Sequence, residues 1–108
     1  MSNSKRWFSD LLSTVESSPK LAELAPVTVS FEADGDLFGL DISRRVKIDG
    51  AQTQCRLIGN DDIFTRLVSG QTTLQRAHLA GEVELQGDPQ SLMRLAFLFE
   101  VSASAFGN

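Results

Sequence analysis

The strongest constraint on this chain is the stretch from Leu74 to Glu100, LQRAHLAGEVELQGDPQSLMRLAFLFE, which spells a helix, a strand and a second helix with glycines between them. Val83 and Leu85 alternate with Glu82, Glu84 and Gln86, the period of two expected of a strand with one buried face. Gly87 breaks that strand, Asp88 is placed to cap a helix, and Pro89 suits its first position, where no N–H donor is needed. In the helix that follows, Leu92, Leu95, Ala96 and Phe99 fall at i, i+3, i+4 and i+7, one stripe wide enough to cover a sheet. Met93, Phe97, Leu98, Val101 and Phe106 lie outside that stripe. A helix apolar over so much of its circumference needs a second apolar environment, supplied by more protein, a partner or a ligand.

The sheet that this stretch docks on is written upstream. Val27, Val29, Phe31 and Ala33 alternate with polar residues, Asp34-Gly35-Asp36 turns the chain, and Phe38, Leu40 and Ile42 alternate again, which predicts an antiparallel hairpin. Val46 and Ile48 make a third short strand, Asp49-Gly50 a turn, and Gln52 to Ile58 a fourth strand with Thr53, Cys55 and Leu57 on one face. On that face Cys55 reads as a small core residue rather than a nucleophile.

Helices flank the strands. Residues 5–17 carry Trp7, Leu11, Leu12 and Val15 at near-helical spacing with Phe8 beside them, and Leu21, Leu24 and Ala25 predict one further turn before Pro26 stops it. Trp7 and Phe8 admit two readings, a helix packed on the sheet edge or covering a tunnel mouth, or insertion into a membrane surface beside Lys5 and Arg6. Asn60 or Asp61 caps a helix whose face is Ile63, Phe64, Leu67 and Val68 and which ends at Gly70. Leu74, Ala77 and His78 share one side of a short helix that stops at Gly81. Strands followed by helices and a late strand predict an α+β fold with helices mainly on one sheet face.

A chain of 108 residues is expected to form one domain spanning residues 1–108, with its core over about 27–101, and its 42% hydrophobic content is ordinary for a globular protein. A single cysteine allows no internal disulfide, and no apolar leader precedes the first helix, so a cytoplasmic location is expected. No apolar run approaches the roughly 20 residues that span a bilayer. The net charge of −4 argues against general nucleic-acid affinity. It hides a basic middle, Arg44, Arg45, Lys47, Arg56, Arg66 and Arg76, which reads either as a solvated face or as a contact for anionic lipid or an acidic partner. With one His, one Cys and no Tyr, and without a zinc, triad, phosphate-loop or dinucleotide motif, neither catalysis nor a metal or cofactor is expected.

From Ala51 onward the chain resembles the sterol carrier protein 2 (SCP-2) lipid-transfer domain family. The residues that carry the resemblance are Cys55, Leu57 and Gly59, then Phe64, Leu67 and Gly70, then Leu74, Ala77 and Gly81, then Val83, Leu85, Gly87, Asp88, Leu92 and Leu95. The resemblance implies a five-stranded, mainly antiparallel sheet covered by helices that enclose an apolar tunnel for fatty acyl chains, sterols or similar lipids, bound and transferred or presented without chemistry. By position, the candidate lining is Phe64, Leu67, Val68, Leu74, His78, Leu92, Leu95 and Phe99, each of which also reads as ordinary core. His78 stands where the family tends to carry a bulky apolar residue, and either meets a ligand head group or sits in water at the helix edge. No peroxisomal tripeptide follows Phe106, so peroxisomal sterol traffic is not implied. The segment GEVELQGDPQ also resembles the SCP-2-like domain of bacterial ubiquinone-biosynthesis accessory factors, which implies a polyprenyl ligand presented to an enzyme complex. An alternative use of the last helix is as an interaction module, with Phe97, Leu98, Val101 and Phe106 docking a partner or a second copy.

Overall fold

The computed structural model of the protein describes residues 4–23 and 27–106. Along the chain run α1 (Ser4–Ser17), a 3-10 turn (Leu21–Glu23), β1 (Thr28–Ala33), β2 (Asp36–Asp41), β3 (Val46–Ile48), β4 (Cys55–Gly59), α2 (Asp61–Ser69), α3 (Leu74–Leu79), β5 (Glu84–Gly87) and α4 (Ser91–Phe106). Leu21 is fully buried, while the expected continuation through Leu24, Ala25 and Pro26 lies outside the described residues. Among the described residues no helix is long and apolar enough to cross a membrane.

The five strands form one sheet in the order β3-β2-β1-β4-β5. Three neighbouring pairs are antiparallel and β1–β4 is parallel, so the sheet is mixed and mainly antiparallel, as expected of this α+β chain. The β1–β2 hairpin turns on Asp34 and Gly35 with φ of 50° and 89°, the pair of positive angles that a two-residue hairpin loop requires.

Register sorts the side chains. Val29, Phe31 and Ala33 of β1 share a face with Phe38 and Leu40 of β2, Cys55 and Leu57 of β4 and Leu85 of β5. The helices pack on that face: Phe31 meets the rings of Trp7, Phe64 and Phe99 edge-on at centroid distances of 5.7, 5.8 and 6.3 Å. Trp7 stacks on Phe64 at 4.6 Å, and Phe8 stacks on Phe38 at 5.0 Å. With Trp7 and Phe8 only 2% and 5% exposed, the reading that these rings enter a membrane is overturned. Six aromatic rings satisfy one another here, and burial of each contributes more than any exposed use would.

The connection from β3 to β4 crosses the opposite face of the sheet. It must pass over β2 and β1, and the paired residues beneath it, Gly39 and Ser30, are small. A Cβ on Gly39 would lie 2.6 Å from the Ile48 carbonyl oxygen and 2.7 Å from the Gly50 nitrogen. Ser30 is fully buried, its hydroxyl 3.0 Å from that of Thr53 and accepting from Arg56 Nε at 3.1 Å. Thr53 therefore belongs to the crossing segment, on the other side of the sheet from Cys55 and Leu57. The expected common face fails because regular pleating begins only at Cys55.

In α4, Asp88 accepts from the Gln90 N–H at 3.0 Å, as a cap should, although the regular helix is entered at Ser91 rather than at Pro89. The second apolar environment that α4 demands is α1, which packs against both α4 and α2. Leu98 is fully buried, which removes it from the expected docking surface, whereas Phe97 and Val101 are half-buried and Met93 and Phe106 are exposed.

Candidate functional site

The helical layer is held by short local devices. The Asn60 side chain accepts from the Ile63 N–H at 2.8 Å at the start of α2, and Gly70, in the left-handed conformation with φ 81°, ends it. Between them Ile63, Phe64, Leu67 and Val68 all point inward and are buried. The Thr73 hydroxyl accepts from the Arg76 N–H and opens α3, whose buried residues are Leu74 and Ala77.

Helix α4 meets the end of α2 at close range. The Ser102 hydroxyl donates to the Val68 carbonyl at 2.8 Å inside the core, satisfying an oxygen that the last turn of α2 leaves without an intrahelical partner. One residue on, a Cβ placed on Gly70 would stand 2.8 Å from the Ala103 Cβ. Small residues at both contacts let the helices approach, and clefts remain where the contact ends.

Two clefts open at these seams. One, of about 100 Å³, lies between the α2–α3 connection and α4, with Leu67, Leu74 and Phe99 as its apolar floor, Ala96 and Ala103 on the α4 side, and Thr72, Thr73, Gln75 and Glu100 at its rim. The other, of about 410 Å³, lies between the start of α1, the second half of α2 and the end of α4, bordered by Trp7, Val68 and Phe106 with Arg6, Asp10, Thr65 and Ser69 around them.

The expected lining residues divide among these places. Leu67, Leu74 and Phe99 come together in the smaller cleft and Val68 borders the larger. Phe64 and Leu95 are fully buried between helices and sheet, Leu92 is half-buried against the core, and His78 is exposed on α3. Trp7, on the helix that could cover a tunnel mouth, borders the larger cleft, whereas sequence reasoning missed Ala96 and Ala103 as lining. The signal for the alanines was their spacing of seven on one side of α4, opposite the glycine that ends α2.

The remaining reactive group is buried. Cys55 is 2% exposed, and burial pushes its thiol pKa up, opposed by a hydrogen bond to Ser91. Among the described residues, no group of three or more His, Cys, Asp and Glu is placed to hold a metal ion.

The model of the SCP-2 sterol transfer family matches residues 8–100. The chain belongs to this family. Solved SCP-2 structures share its fold. Sterol carrier protein 2 of Aedes aegypti, determined in complex with palmitate, superposes with a TM-score of 0.72 at 19% identity, covering 94% of this chain and 98% of its own. The sterol carrier protein domain 2 of Helicoverpa armigera gives 0.71 at 17% identity, over 93% and 87% of the two chains. The UbiJ-SCP2 ubiquinone synthesis protein gives 0.65 at 23% identity, over 87% and 90%. No curated protein matches the sequence significantly. Within this SCP-2 fold, three of the expected lining residues border the seam between α4 and the α2–α3 connection and a fourth, Val68, borders the larger cleft.

Proposed function

We propose that this SCP-2 domain binds an apolar, lipid-like ligand without chemistry, its chain entering the seam between α4 and the α2–α3 connection and displacing water from Leu67, Leu74 and Phe99. The observation that carries this reading is the convergence of those three residues, from three separate helices, on one cleft. Burial at about 25 cal/mol per Å² of apolar surface supplies the affinity, with little demand on the head group. A cleft of about 100 Å³ admits only a few methylene groups, well below the roughly 300–1,000 Å³ typical of ligand pockets. A full acyl chain therefore requires α4 to part from the α2–α3 connection. Its contact with α3 is the lightest of its helix contacts.

The Aedes protein's palmitate and the ubiquinone-synthesis neighbour define the two ligand classes to offer, fatty acids and polyprenyl compounds. The second class corresponds to presentation of a hydrophobic substrate to an enzyme complex. Native mass spectrometry of the purified protein, before and after incubation with palmitate and with a polyprenyl phenol, tests the reading. One ligand per chain is expected for the wild type. In Ala96→Phe, whose ring fills the cleft, uptake is expected to fall at least tenfold while the circular dichroism spectrum stays native. Full uptake by a folded Ala96→Phe protein would move the site elsewhere.

A further inference from the structure

The basic middle of the chain divides in the folded protein. Arg56 pairs with Glu32 at 3.5 Å, and Arg66 is held between Asp62 at 3.0 Å and Glu82 at 2.8 Å. Arg44, Arg45 and Lys47 are different. All three are exposed, and none makes an ion pair among the described residues. They stand within four consecutive residues on the turn between β2 and β3 and on the edge strand itself, and the fourth, Val46, is 42% exposed.

The acid at this turn faces inward. Asp41 is 8% exposed, and its Oδ1 accepts from the Ser43 hydroxyl and the Arg44 N–H, both at 3.0 Å. That carboxylate fastens the turn from inside and leaves the cations outermost. Arg45 is held there at a φ of 59°, a conformation that long side chains rarely adopt.

We infer that the β2–β3 turn and edge strand are the surface by which this protein settles on an anionic bilayer, Arg44, Arg45 and Lys47 supplying the charge and Val46 the apolar contact. Charge complementarity selects an anionic occupant, since three exposed cations stand within four residues here while the chain as a whole carries a net charge of −4. An exposed valine among the cations suits a surface that is anionic outside and apolar beneath. Being the sheet edge, β3 presents side chains of both its faces to a flat surface that meets it edge-on. At three residues, β3 is too short to hold a partner strand firmly by main-chain pairing. The inference rests on the lipid reading only in that an apolar cargo is collected from, or delivered to, a bilayer.

The test is flotation with vesicles of phosphatidylcholine alone and of phosphatidylcholine with one-third phosphatidylglycerol, at low and high salt. The full chain is expected to float with the anionic vesicles only, and to be released by salt. The triple variant Arg44→Glu/Arg45→Glu/Lys47→Glu is expected to bind on the order of 100-fold more weakly. Arg76→Glu, an exposed cation on α3, is expected to bind as the wild type does. Arg45→Gly, which relieves the backbone while removing one charge, should show an intermediate loss, and it guards against a folding defect in the triple variant. Equal binding by the triple variant, equal binding to neutral vesicles, or no binding by the wild type would each overturn the inference. So would capture of polyglutamate, but not of vesicles, through the same three cations, which would make the edge a contact for acidic protein. Palmitate uptake from solution, measured on the same variants, is expected to be unchanged, so failure of the bilayer contact and failure of the lipid site are read separately.

Discussion

The indole N–H of Trp7 donates to Asp61 Oδ1 at 2.7 Å, joining α1 to the first turn of α2 across 54 positions of sequence. The same carboxylate sits where the amino end of α2 favours negative charge, and the indole plane beneath it stacks on Phe64. One residue thus fixes both the height and the rotation of α1 on the helical layer.

Trp7→Phe keeps most of the ring packing and deletes this hydrogen bond. A loss of about 1.5 kcal/mol is expected, at the low end for a bond to a charged group because Asp61 is half-exposed and regains water. Trp7→Ala is expected to cost about 3–5 kcal/mol. Urea unfolding at unchanged m-value reads both, and equal losses in the two variants would show that packing contributes nothing here.

Ser102→Ala leaves the buried Val68 carbonyl without its donor. The expected cost is about 1–3 kcal/mol, with amide exchange accelerated in the last turn of α2 and the second half of α4 before the sheet is affected. Uniform acceleration across the whole protein would mean that this contact is not a local clamp.

Gly39→Ala drives a methyl group into the backbone that crosses over it, against the Ile48 carbonyl and the Gly50 nitrogen. Backbone cannot rotate away as a side chain can, so a loss of about 3 kcal/mol or more is expected. Thermal unfolding checks this, and a melting temperature within a degree or two of wild type would place the crossing segment elsewhere in solution.

Burial raises the pKa of Cys55, which makes stability depend on pH at the alkaline end. In the folded protein the thiol keeps its proton, while in the unfolded chain it ionises near the ordinary thiol value of about 8.5. Above that value the unfolded state binds fewer protons than the folded one, so the contribution is fully present below it and is lost as pH rises towards the folded pKa. The chain has no tyrosine to obscure the effect. Stability measured by urea unfolding is expected to decline above this range in the wild type and less steeply in Cys55→Ala. A thiol reagent should label native Cys55 slowly at neutral pH, and rapid labelling would contradict its burial.

Much of the fold was legible in the sequence because local physics decided it. The Asp34-Gly35 turn, the Asn60 cap, the Gly70 stop and the alternation in β1, β2 and β4 depend on neighbours only a few residues away, and they stand where the pattern put them. Boundaries moved by two residues at Ser91 and by three at Cys55, where ends depend on what the element packs against. Thr53 changed faces because a segment that crosses the sheet does not obey the sheet's alternation.

The site was less legible, for a physical reason that α4 illustrates. Its sequence alone determined that two apolar environments surround it, since side chains on most of its circumference avoid water. Which residues meet a helix, a cleft or solvent was decided by contacts far apart in sequence: α1 packing on α4, Ser102 reaching Val68, Ala103 lying on Gly70. Hydrophobicity is non-directional and says only that a side chain leaves water. Cleft position follows from how closely two helices approach, and that is set by the smallest residues between them. Likewise the sequence determined that residues 44–76 are basic, whereas only the tertiary structure paired Arg56 and Arg66 with acids and left Arg44, Arg45, Lys47 and Arg76 without an ion pair among the described residues, because ion pairing is a matter of distance in space.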